Sequence, residues 1–239
     1  MEKIDLMIVL PTQYNEIIDL TAYDYVPDTP NEALQETIQE KTRIFNNSTL
    51  PLFDNYNNAF NCIALSKNES WNSINNILSR QYIRQIYLEM YVYREKLIRF
   101  VADMFHLPIK HQKIGVIFKM IKDKQNEFPF IIDLIEAIQQ VTDNTEYRLF
   151  ESIRNDEVHN ITRIDRVNYY VNPDPFRIET IGYQKPTEYF WDNINSVLPL
   201  MINVKNKIQK IITDGKLFII NKKCRIKREN RNEQTENAQ

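Results

Sequence analysis

Glycine is almost missing. Only 3 of the 239 residues are glycine, where an average soluble protein carries roughly 7%. Gly115, Gly182 and Gly215 stand far apart, so no glycine-rich phosphate cradle exists. The dinucleotide fingerprint and the P-loop both need closely spaced glycines to turn the backbone tightly against a phosphate. Both are excluded. All-β sandwiches and barrels are disfavoured too, since their tight turns depend on residues that reach positive φ. Cysteine is equally scarce. Cys62 and Cys224 cannot build a disulfide framework or a zinc site, and no metal or other cofactor is expected. Long apolar runs are missing as well. The longest near the start, Leu6 to Leu10, is shorter than a signal-peptide core, and acids occupy its flank. No stretch approaches the ~18 apolar residues of a membrane span, so the expected compartment is the cytoplasm, with no membrane partner. With a net charge of −2, the whole chain does not seek nucleic acid by bulk charge.

What is present reads as helix. Residues 1–60 are uneven, punctuated by Pro11, Pro27, Pro30 and Pro51, with one helix expected from Glu32 to about Phe45 after an Asn31 or Thr29 cap. From Ser70 or Asn72 to Phe105, apolar residues recur at three-to-four spacing: Ile74, Ile77, Leu78, Ile83, Ile86, Tyr87, Met90, Leu97, Ile98, Val101 and Phe105. This is the longest expected helix, and Pro108 stops it. Further helices are expected over roughly 110–124, 130–141 and from an Asp143/Asn144 cap through Val158. Their apolar stripes read as core faces.

Residues 162–186 change period. Val167, Tyr169 and Val171 alternate, Asn172-Pro-Asp-Pro175 intervenes, and Phe176, Ile178 and Thr180 alternate again. This predicts a small β-hairpin insert over about 163–186. Helix resumes at Thr187 with a stripe from Phe190 to Ile211, in which Pro199 predicts a kink or two abutting helices. Asp214-Gly215 ends it. The expected architecture is an all-α, multi-helix up-down bundle with that small excursion. It divides into an N-terminal extension (1–60), a helical domain (61–215) and a basic, disordered tail (216–239).

One segment can carry chemistry: Glu151-Ser-Ile-Arg-Asn-Asp-Glu-Val-His159. It contains Arg-Asn-x-x-x-His, formed by Arg154, Asn155 and His159. Arg99 and His106 satisfy a looser arginine-to-histidine spacing, but Phe100 follows that arginine. His106 reads as a histidine at a helix C-terminus, favourable to the macrodipole, and His111 as a surface residue. The Arg154–His159 pattern resembles the signature of the HEPN superfamily, helical nucleotide- and RNA-binding domains, many of which are metal-independent ribonucleases and toxins. The resemblance covers the motif and a general helical plan over about 70–212. It does not extend to residues 1–60 or to the hairpin.

Chemistry supports such a trio without the family name. Arginine presents a planar, permanently charged fork to phosphate oxygens. Histidine exchanges a proton near neutrality. RNA brings its own nucleophile, the 2′-hydroxyl, so neither a metal nor a protein nucleophile is required. Geometry imposes a condition. On a regular helix Arg154 and His159 point about 140° apart, so either the helix ends between them or a second chain completes the site. The resemblance implies the second: a homodimer with facing motifs, in which two histidines divide acid and base roles. Arg154 would then hold the scissile phosphate, His159 would transfer protons, and Asn155 would orient one or the other. A plainer alternative pairs Arg154 with Glu151 at i,i−3 and leaves the rest as a polar helix end.

The tail adds a weaker signal. Lys222, Lys223, Arg225, Lys227, Arg228 and Arg231 crowd ten residues against one acid, Glu229, and such a segment can follow an RNA backbone. The expected function is a HEPN-type endoribonuclease in toxin, phage or stress defence, with an antitoxin or other partner protein possible. The alternatives are a non-catalytic HEPN-like module that binds RNA, nucleotide or protein, and a helical adaptor.

Overall fold

The structure, a computed structural model, describes residue 18, residues 32–70, 73–159 and 164, 168–171, 180–183 and 186–224. Nearly all of it is helix. In chain order the helices are α1 (Glu32–Ser66), α2 (Ile74–Met104), α3 (Ile114–Asp123), α4 (Ile132–Asp143), α5 (Thr145–His159), α6 (Thr187–Thr213) and α7 (residues 216–224). Short 3₁₀ turns at Lys124–Asn126 and Pro129–Ile131 join α3 to α4. Between α5 and α6, strands β1 (Asn168–Val171) and β2 (Thr180–Tyr183) pair antiparallel, from Asn168 opposite Tyr183 to Val171 opposite Thr180. The Asn172–Pro175 connection lies outside the described residues.

The chain contacts fall into two compact units. Among the described residues one holds Leu50–Tyr91 and Asp143–Pro199, the other residues 18 and 32–49, Val92–Thr142 and 200–224. The first is built on the middle of α2. Ile83, Ile86, Tyr87 and Met90 of α2, Tyr147, Phe150 and Ile153 of α5, and Phe190, Ile194 and Val197 of α6 are all buried. Tyr87 stacks on Phe150 with ring centroids 5.2 Å apart. Its hydroxyl donates to Asn193 Oδ1 at 2.9 Å, and Asn193 in turn donates to the Glu146 carbonyl and carboxylate. The buried asparagine is thereby satisfied, as burial of a polar group demands.

The second unit has its own apolar core. Leu97 and Ile98 of α2, Ile138 and Val141 of α4, and Met201 and Val204 of α6 meet there. Phe105 and Phe128 sit 5.4 Å apart. At the end of α2, Leu107 N–H returns to the Ala102 carbonyl and His106 N–H to that of Asp103. His106 sits at φ 52°, the left-handed position that usually takes glycine. Its Nε2 is 2.9 Å from Asn221 Oδ1 of α7, which supports the strained residue.

Three expectations change. The helix expected to stop near Phe45 runs on through Pro51 to Ser66. A proline inside a helix costs about 3 kcal/mol, because it leaves a carbonyl one turn earlier without its N–H. That carbonyl belongs to Asn47; its neighbours receive side-chain donors, Ser48 Oγ to the Phe45 carbonyl, Thr49 Oγ1 to that of Asn46 and Lys96 Nζ to that of Ser48. Burial of Leu52, Phe53, Tyr56, Ala59 and Ile63 beyond the proline offsets the rest. At Pro199, where the sequence predicts a kink or two abutting helices, α6 continues as one helix, which excludes the abutting pair. Residues 216–224, expected as the start of a disordered tail, form α7 with Leu217 and Ile220 buried.

Candidate functional site

The motif sits on α5. Asn144 starts this helix: its Oδ1 accepts the N–H groups of Glu146 (2.8 Å) and Tyr147 (3.3 Å). Tyr147, Phe150 and Ile153 bury one face at helical spacing. That burial fixes the rotation of the helix and so places Arg154 at the margin of the apolar face, against α2.

Arg154 is held by a ring and an amide. Its guanidinium carbon lies 4.0 Å from the centroid of the Tyr91 ring, a cation–π contact. Its Nη1 donates to Asn155 Oδ1 at 3.0 Å, and Asn155 is exposed. The Nε atom is buried and lacks an acceptor among the described residues. Nor does any carboxylate among them pair with Arg154, so the alternative i,i−3 pair with Glu151 does not form. The result is an oriented fork with no carboxylate partner among the described residues.

One turn further along, Glu157 takes a different part. Its side chain is fully buried and accepts from Arg84 Nε at 2.9 Å and from the Ile164 N–H at 3.0 Å. This pair ties the end of α5 to α2. Sequence reasoning passed over both partners and over Tyr91. Arg84 and Tyr91 are seven residues apart, hence on one face of α2, and that spacing was the available signal.

His159 is the last residue of α5; its side chain lies outside the described residues. The helix is unbroken from Arg154 to His159, so the first of the two ways to bring them together is removed. One chain does not point both residues at a single phosphate from a regular helix. The other histidines stand elsewhere. His106 is engaged with Asn221, and His111 is exposed at φ 64°.

Of the basic tail, Lys222 and Lys223 project from α7 and are exposed. Lys223 Nζ donates to the Glu127 carbonyl at 3.3 Å and lies 5.2 Å from the Phe128 ring centroid. Arg225, Lys227 and Arg228 fall outside the described residues. Among the described residues, no three His, Cys, Asp or Glu side chains cluster as metal ligands, and no helix is long and apolar enough to cross a membrane. No family model, curated protein or solved structure matches the chain.

Proposed function

We propose that the protein is a metal-independent endoribonuclease of the HEPN type, acting in the cytoplasm as a homodimer on an all-α, up-down helical frame. The observation that carries this reading is Arg154, an arginine oriented by Tyr91 and Asn155 and without a carboxylate partner among the described residues. Its positive charge is therefore available to a phosphate rather than spent on an internal ion pair. His159, the last residue of the same helix, would exchange the proton, and a helix C-terminus generally favours a charged histidine by about 0.3–1 kcal/mol. Because α5 is unbroken, the complete site takes Arg154 and His159 from facing copies of the motif.

The reaction balances without a cofactor. A histidine removes the proton of the 2′-hydroxyl, the oxygen attacks phosphorus, and Arg154 stabilises the charge that develops on the phosphate. The second histidine gives a proton to the departing 5′-oxygen. The products are a 2′,3′-cyclic phosphate and a 5′-hydroxyl. Such an activity fits a toxin or defence role, held in check by an antitoxin or partner protein. Labelled RNA incubated with the protein in chelator tests the proposal. Cleavage should vanish in His159→Ala, and cleavage that persists in that variant sinks the reading.

A second reading keeps the module but not the turnover. Asn155 is already occupied with Arg154, an arrangement that suits binding of RNA, nucleotide or a protein partner without proton transfer. In that case Arg154→Ala weakens binding, and no cleavage product appears with any variant.

A further inference from the structure

Within the second unit, α3 and its flanks are basic in a chain that is not. Residues 110–124 hold five lysines and one acid, Asp123, a net charge of +4, while the whole chain carries −2. Burial of Ile117 and Ile121 fixes the rotation of α3. Lys119 and Lys122, three apart, are then neighbours on its outer side, and both are exposed. Lys110 and Lys113 are exposed just before its first turn. The far end of α3 leads to α7. Lys124 Nζ donates to the Glu127 carboxylate at 3.3 Å, Lys223 donates to the carbonyl of the same residue, and Lys222 is exposed next to it in sequence. Cations therefore flank α3 at both ends and line its outer side.

Most of these charges are not spent inside the chain. Among the described residues no carboxylate pairs with Lys110, Lys113, Lys119, Lys122 or Lys222. Like charges one helical turn apart repel, so Lys119 and Lys122 cost stability that a covering polyanion would return. Gly115 is a second, independent observation. It lies one turn before Lys119 and two before Lys122, on the same outer side. A Cβ there would meet nothing within 4 Å, so packing within the chain does not call for a glycine, which is a weaker helix former than alanine. A missing side chain does allow another molecule's backbone to come close to the helix.

The side-chain chemistry selects the partner. Residues 110–124 hold no arginine. Lysine meets phosphate as a point charge on a flexible stem, which suits following a backbone and not reading base edges. The rings beside these lysines are already engaged: Lys122 Nζ lies 5.7 Å from the Phe118 centroid and Lys223 Nζ 5.2 Å from that of Phe128. Single strands are held by stacking bases on open rings; a duplex needs none. A duplex carries one charge per ~1.7 Å of its axis. The ten residues of α3 span about 15 Å and so run alongside about nine of those charges.

We propose that α3, with the lysines at its two ends, is a docking surface for the phosphate backbone of a nucleic-acid duplex, bound without regard to sequence. The surface holds none of the motif residues and stands independently of the ribonuclease reading.

Fluorescence anisotropy of a labelled DNA duplex of about 14 base pairs with the full chain tests it. DNA lacks the 2′-hydroxyl, so the chemistry proposed for the motif does not cleave the probe. Kd should lie near 10⁻⁴–10⁻⁶ M at roughly physiological salt, and a plot of log K against log salt should have a slope of about −4 or steeper. Lys119→Gln with Lys122→Gln should make that slope shallower by about two and weaken binding at least about tenfold at low salt. Gly115→Leu should weaken binding and leave the slope unchanged, because it blocks approach without removing charge. Lys67→Gln, at an exposed position in the first unit, should change neither. If the double variant loses its helical circular dichroism, Lys110→Gln with Lys113→Gln carries the same comparison. No binding of the duplex up to about 1 mM at about 50 mM salt, or a slope indifferent to both lysine pairs, overturns the proposal. So does a single strand of the same sequence bound at least about tenfold more tightly than the duplex. Retention on phosphatidylserine vesicles with the duplex ignored overturns it in favour of a lipid surface, and duplex binding lost in Arg154→Gln alone overturns it in favour of α5.

Discussion

In the proposed reading, Arg154 keeps its charge for a ligand. A surface arginine commonly finds a carboxylate one helical turn away, yet Glu151 does not take that place. The guanidinium rests on Tyr91 and on the Asn155 amide instead. Neither neighbour neutralises it. Lysine cannot reproduce the arrangement, because an ammonium has neither the plane that stacks nor the fork that grips two oxygens. Arg154→Lys should therefore lower the rate of RNA cleavage by about 10²-fold, even with the charge retained. Tyr91→Leu removes only the platform. It should reduce kcat by about tenfold with little change in KM, the mark of lost positioning; an unchanged kcat in steady-state assays would count against that role. The adjacency of Arg154 and Asn155 was legible in the sequence, because their order along a helix is local. Tyr91 was not, since only tertiary packing brings a residue 63 positions away against the motif.

A second residue-scale prediction concerns Lys205. It is almost wholly buried on α6, and burial lowers its pKa. In the folded chain the charged form is disfavoured, so the native state is penalised wherever it must hold that proton. The penalty is full below the depressed folded pKa. It fades as pH rises toward the ordinary lysine value of about 10.4. Lys205→Met should unfold at a higher urea concentration than the wild type at pH 7, with the gap narrowing as pH approaches that value. A gap that stays constant with pH would mean that packing, not charge, sets the difference.

Among the elements, α5 is the one whose position matters most, and two separate devices place it. Its start is fixed by Asn144, and Asn144→Ala should cost about 1 kcal/mol. Its end is fixed by Glu157 on Arg84 and Ile164. Removing Arg84 leaves a buried carboxylate uncompensated, so Arg84→Met should destabilise by about 3–5 kcal/mol. The pair itself is less valuable than that figure suggests. Arg84→Met combined with Glu157→Leu should recover most of the loss in a denaturant titration, because no unpaired charge then remains. If the double variant is no more stable than the single one, the pair supplies net stability rather than registration of α5.

Helix legibility followed the same division between local and distant causes. The cap at Asn144 and the amphipathic stripes of α2, α4 and α5 could be read from spacing alone. The passage of α1 through Pro51 could not. It depends on apolar burial beyond the proline, at Leu52, Phe53, Tyr56, Ala59 and Ile63. Proline was read by its intrinsic cost, and packing outweighed it.

At the scale of the whole molecule, the two units draw on alternating stretches of the sequence. α1, α2 and α6 each supply residues to both, which a division of the chain into successive stretches could not anticipate. The changes of unit at Leu50 and after Pro199 fall at or beside the two helix-interior prolines. No composition shift marks them, because a helix shared between two cores keeps its apolar stripe throughout.

The continuity of α5 has its largest consequence at this scale. If Arg154 and His159 of one chain diverge by about 140°, a single copy holds half of a site. A two-fold axis returns the same patch from a second copy and supplies the missing half. Cleavage must then depend on dimer, not on chain. At concentrations well below the dimer dissociation constant, the amount of dimer follows the square of the chain concentration, so a logarithmic plot of rate against protein should have a slope of about two. Above that constant the slope should fall to about one. The break should coincide with the monomer–dimer midpoint found by sedimentation, and Arg154→Ala should abolish the rate without moving that midpoint. A slope of one across dilutions at which sedimentation finds only monomer would place a complete site within one chain, and the composite arrangement would have to be abandoned.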